Sequence, residues 1–195
     1  MSSDKKLAQD LAILVAMASE MEAYLNSDVL FWRMGKAGMP ALTLGGYLMR
    51  QHRLLALRDQ LTNEQFHELD DALVAFNNAL DERIVRFEKK AHRELEARLR
   101  QWGEFLNEVE RGVATSKSNY STVVEVREMI SALQEQLLLA PFTLDERITR
   151  QTARLDTQLR RLWESGEFVW PSAWEPAYPP LEYWWLYGNP QEKKR

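Results

Sequence analysis

Three histidines and no cysteine bound the chemistry open to this chain. Without a thiol there is no disulfide framework, no Cys-ligated zinc or iron–sulfur site and no thiol nucleophile. Glu64-Gln65-Phe66-His67 sets a carboxylate and an imidazole one helical turn apart, the ligand spacing of carboxylate-bridged di-metal bundles. Such a centre needs a second Glu-x-x-His and two more glutamates. The other histidines do not supply it, because Met49 stands three residues ahead of His52 and Lys89 three ahead of His92. A metal site around Glu64, His67 and His92 is therefore a minor reading beside ordinary surface histidines. Gly35-Lys36 invites a phosphate-loop reading, but Leu30 stands where the first glycine belongs and Ala37 where the hydroxyl belongs. No Gly-x-Ser-x-Gly occurs, and the carboxylate pairs Asp70-Asp71 and Asp81-Glu82 lie in a charged helix where acids are unremarkable. The expectation is a protein that is not an enzyme, with no metal and no cofactor.

Charge is more informative than catalysis. Between Asp59 and Glu82 there are seven acidic residues and no Lys or Arg; between Arg33 and Arg58 there are five basic residues and no acidic one. Arg83, Arg86, Lys90 and Arg93 share one side of a helix, and Arg147, Arg150, Arg154 and Arg161 form a second stripe. Either stripe could track a phosphate backbone. The competing reading is a solvated face, or pairing of the basic second helix with the acidic front of the third. Net charge is −4, so the chain as a whole carries no signal for nucleic acid.

These groups must be held by helices. The chain has 195 residues, 45% of them hydrophobic and 28% charged, the composition of a folded chain rather than a disordered or membrane one. No proline lies between Pro40 and Pro141, so that window is free to be helical. A first helix is predicted over about Asp4 to Leu25, where Leu7, Leu11, Leu14, Ala18, Met21 and Leu25 step by three and four. The apolar run Leu11 to Ala18 is too short to span a bilayer. A leader peptide ending at Ala16-Met17-Ala18 is opposed by the acids Asp4 and Asp10. A second helix is predicted over about Leu42 to Asp59, with Gly45 and Gly46 in its first turn either allowing close packing or marking a start after them. A third opens at Thr62, where Gln65 completes a capping box, and its apolar period of about 3.6 continues to Arg111. Unbroken, it would be roughly 70 Å long, and Asn77-Asn78 is the expected kink. A polar loop from Gly112 to Ser121 follows, then a fourth helix over about Thr122 to Leu139. A fifth runs to about Glu164, capped by Thr143 with Glu146 and closed by Gly166.

The last thirty residues differ in kind. Four of seven tryptophans, three of six tyrosines and five of seven prolines fall there, with neither helical nor strand period. Rings of this size each bury roughly 150–250 Å², so the segment must dock on something: by preference back across its own bundle, filling a groove between helices, and otherwise on a partner or a second copy of the chain. Lys193, Lys194 and Arg195 are expected to be a disordered end.

The sequence thus predicts an all-α protein: an elongated bundle of about five helices organised on one long central helix, residues 1–165, with an irregular aromatic, Pro-rich C-terminal segment, residues 166–195. The function expected is a non-enzymatic protein-interaction or scaffold role, self-associating and cytoplasmic. Trp170, Trp174, Tyr183, Trp184, Trp185 and Tyr187 would contact a protein partner or a second copy of the chain. The alternative is a nucleic-acid-binding module using Arg147, Arg150, Arg154 and Arg161. No membrane contact is expected.

Overall fold

The computed structural model describes residues 3–112 and 119–191. Most of the expected polar loop (Thr115, Ser116 and Ser118 included) and the basic end Lys193, Lys194 and Arg195 lie outside the described residues. The protein is all-α, as predicted, with one small antiparallel sheet added at the C-terminal end. Among the described residues no helix is long and apolar enough to cross a membrane.

Helix α1 (Ser3–Asn26) buries the predicted stripe of Leu7, Leu11, Leu14, Ala18, Met21 and Leu25. Each such aliphatic side chain contributes roughly 1.5–3 kcal/mol on burial. Helix α2 (Leu44–Ala56) is shorter than predicted at both ends, and a 3-10 turn over Arg58–Gln60 continues it. Thr43 caps it by accepting the Gly46 amide. Gly45 acts as the sequence suggests: a Cβ there would lie 2.9 Å from both Glu94 Oε1 and the Met129 Cβ. The bare backbone lets α2 approach helices α4 (Ile84–Glu110) and α5 (Tyr120–Leu137), and the Gly45 amide donates to both Glu94 oxygens at 3.2 Å.

The long third helix is two helices. Helix α3 (Asn63–Asp81) opens with the expected Thr62–Gln65 capping box. The chain then turns at Glu82-Arg83, four residues beyond Asn77-Asn78, and α4 begins. The apolar period survives the break, so periodicity could not reveal it. What fixes the turn is distant in sequence: Arg83 donates to Glu22 and Asn26 at the end of α1. The break lets α3 pack back along α1 while α4 packs on α5 and on helix α6 (Glu146–Leu162), so no rod is left uncovered.

The start and end of α6 also differ from expectation. Its cap is Asp145, whose carboxylate accepts the Arg147 amide at 2.8 Å, and not Thr143. The Thr143 amide instead donates to Glu88 on α4. At the far end Trp163 is already extended and the chain enters strand β1 (Trp163–Phe168) without a glycine cap. Gly166 lies inside β1, facing Gly188 of strand β2 (Tyr187–Pro190). Gly188 holds φ +143°, and a Cβ there would sit 2.1 Å from the Glu164 carbonyl, so only glycine fits this crossing.

Candidate interaction site

Between β1 and β2, residues 169–186 form a strap laid across the bundle. Its rings pack on one another and on charged groups of the helices. Arg53 of α2 is 1% exposed, with its guanidinium carbon 3.5 Å above the Trp174 ring and 5.2 Å from that of Trp170. The same guanidinium donates to Asp10 of α1 at 2.7 Å and to the Tyr178 hydroxyl at 3.2 Å. Arg50 adds a longer contact to Asp10 at 3.7 Å. Arg50 and Arg53 of the basic second helix thus pair with Asp10 of α1, and not with the acidic front of the third helix that the sequence left open as one partner. On α5, Arg127 forms a two-pronged pair with Asp156 of α6, both bonds 2.8 Å, while its guanidinium lies 3.8 Å over Trp185. Arg160 lies over Trp184 at the same distance.

Main-chain hydrogen bonds fix the strap further. Tyr120 donates to the Trp185 carbonyl and the Trp170 indole to the Ser121 carbonyl, each at 2.7 Å. His52 Nε2–H donates to the Ala177 carbonyl at 3.0 Å. Tyr187 donates to the Tyr178 carbonyl at 2.7 Å. Of the rings expected to meet a partner, Trp170, Tyr183 and Trp185 are buried in this chain's own core, and Trp174, Trp184 and Tyr187 are half-buried beside them.

Two carboxylates, Glu94 and Glu128, are buried among the helices. Burial holds the Glu128 carboxyl up at about 8. Burial also raises Glu94, against which the Arg98 guanidinium and the Gly45 amide act. Neither carboxylate, nor Asp10, Arg50, Arg53 or Arg127, stood out as a site residue from sequence. A signal was present: Asp10 falls on the α1 apolar face, three residues after Leu7 and four before Leu14.

The other candidates do not converge. Glu64 and His67 are exposed at the start of α3, and His67 Nδ1 turns to the Asn63 carbonyl at 2.8 Å. His92 ties α4 to the start of α6, its Nδ1–H donating to the Glu88 carbonyl and its Nε2 accepting the Asp145 amide. Among the described residues no group of three or more His, Asp or Glu could hold a metal ion. Gly35-Lys36 lies in the loop between α1 and α2, where the Met39 amide turns back to the Lys36 carbonyl.

The outer surface is different. Arg147, Arg150, Arg154 and Arg161 are all exposed along α6, as their spacing predicts. Arg147 holds the Asp145 carboxyl down at about 2, and Arg150 reaches Glu146 only at 4.0 Å. Of the other stripe, Lys90 is buried and spends its ammonium on the Tyr24, Ser27 and Val29 carbonyls that end α1. Five aliphatics are more than half exposed: Leu181 of the strap, Val85, Leu138, Leu139 and Val74. The loop after α5 is fixed to the first turns of α4 by Phe142 on Phe87, ring centres 5.0 Å apart, and by the Thr143–Glu88 bond. Of these five, Val85, Leu138 and Leu139 belong to the segments this contact joins.

Comparison with known proteins finds no family model, no curated protein and no solved structure that matches this chain.

Proposed function

We propose that this protein is a non-enzymatic interaction module that self-associates through the outside of its bundle, in the cytoplasm. The observation that carries the reading is the adjacent pair Leu138 and Leu139, two large aliphatic side chains left in water where α5 ends, with Val85 exposed near the start of α4. Exposed apolar groups gathered in one place mark contact surfaces. The strap rings, spent on Arg53 and Arg127, rigidify the bundle that presents this surface. The test is molecular mass by light scattering at about 1 M salt, where charge pairs are screened. The expected result is a mass above the 22.8 kDa of one chain, falling to that value in the Leu138→Asp/Leu139→Asp variant. A wild-type chain monomeric under these conditions contradicts the reading.

A second reading is supported by the exposed arginines of α6: binding of nucleic acid by Arg147, Arg150, Arg154 and Arg161. Its signature is affinity that falls steeply with salt, and a flat salt dependence rules it out.

A further inference from the structure

Two helix faces of this protein are charged, exposed and opposite in sign. On α3, Glu64, Glu68 and Asp71 share one exposed face, and among the described residues none of them has an ion-pair partner. On α6, Arg154 and Arg161 have no such partner among the described residues.

The spacings also correspond. Glu64, Glu68 and Asp71 step by four and then three; Arg147, Arg150 and Arg154 step by three and then four. Each set lies within one face of its helix and spans about 10 Å. Run antiparallel, the second set reads four and then three, so Glu64 meets Arg154, Glu68 meets Arg150 and Asp71 meets Arg147.

The acidic face also adjoins a groove. Glu68 and Asp71 border an open groove of about 560 Å³ between α1 and α3, with Ala12, Ala16, Ala72 and Ala75 in its lining. Methyl side chains leave room for the aliphatic stems of arginines, whose heads would then reach the carboxylates. One cation, Lys36, lies on the border of the groove, beside Met39.

We propose that the α1–α3 groove is a docking site for helix α6 of a second copy of this chain, laid antiparallel to α3 and held by arginine–carboxylate pairs. This inference rests on the reading of the chain as a self-associating module and names one of its contacts. Exposed pairs of this kind are individually weak and screened by salt, so the contact is transient and appears at low ionic strength.

The test is sedimentation velocity of the full chain at about 0.01 M and about 1 M salt. The expected result is a larger assembly at low salt than at high salt. The Arg150→Glu/Arg154→Glu variant and the Glu68→Arg/Asp71→Arg variant should each lose that difference. Mixing the two should restore a salt-sensitive complex, because one now carries an intact acidic groove and the other an intact basic helix. A mass independent of salt overturns the inference while leaving the apolar contact standing, and a chain that is monomeric only at high salt overturns the apolar contact alone. Failure of the mixed variants to associate also overturns it, as does a wild-type chain that stays monomeric at low salt yet binds a 20-nucleotide single strand, which would assign the arginines to nucleic acid.

Discussion

The arginines of α2 and those of α6 are the same chemical group under opposite conditions. Arg53 is closed off between Asp10, Tyr178 and the Trp174 ring, so each of its contacts acts in a low-dielectric surrounding and removing one strands the others. Arg150 stands in water, 4.0 Å from Glu146, where solvent and salt blunt its attraction. The contrast teaches how this chain divides its work. Charge beneath the strap fixes one arrangement of helices, while on the outer face of α6 Arg154 and Arg161 have no ion-pair partner among the described residues.

The sharpest way to break the comparison is Arg53→Ala. It leaves Asp10 buried with only the longer Arg50 contact and opens a gap under Trp174. The expected cost is about 3–5 kcal/mol in urea unfolding. A loss below about 1 kcal/mol would show that the strap region does not depend on its charges.

Gly188→Ala comes next. With φ at +143° and the Glu164 carbonyl in the way, the β1–β2 crossing must open. The expected cost is about 2 kcal/mol, with faster amide exchange concentrated at Val169 and Gln191, whose amides bond across the crossing.

Glu128 sharpens the comparison through pH. Burial holds this carboxyl at about 8 in the folded chain, against an ordinary value of 4.5. The folded state then binds the proton more tightly than the unfolded state. Its contribution is whole below pH 4.5 and is lost as pH rises through about 8. Glu128→Gln should match the wild type in thermal melts near pH 4.5 and exceed it by a growing margin as pH rises toward 9. Parallel pH profiles for the two proteins would contradict the burial argument.

The smallest effect is expected on the other side of the comparison. Arg150→Ala/Arg154→Ala should leave urea stability within about 0.5 kcal/mol of wild type, since neither guanidinium fills a core site. A loss of several times that amount would mean that α6 depends on its outer charges.

How far these features could be read from sequence depended on the range of the interaction. The Thr62–Gln65 cap was legible because both partners lie in one turn. The α1 stripe was legible because a single helical period orders it. The Arg53–Asp10 bond joins residues 43 apart, and nothing local marks either as the other's partner. The turn at Glu82-Arg83 was hidden for the same reason, because Arg83 bonds across to α1. The sheet was missed because the segment shows no strand period, and Gly166, which read as the close of the fifth helix, instead meets Gly188 where two strands cross closely. The α6 stripe was read correctly as exposed, since a helical period alone decides it. The strap rings were read correctly as needing cover. That their cover would be Arg53 and Arg127 of the same chain depended on tertiary contacts.

Native-state hydrogen exchange on the full chain tests most directly whether strap and bundle form one unit in a single chain. The Val169 amide bonds to the Leu186 carbonyl at 2.9 Å, and its exchange can be compared with that of buried Leu54 in α2. The account predicts the same opening free energy at both positions, since strap and bundle should unlock together. A Val169 amide that exchanges orders of magnitude faster than Leu54 would contradict it, and would return the rings of the strap to the surface as groups free to seek a partner.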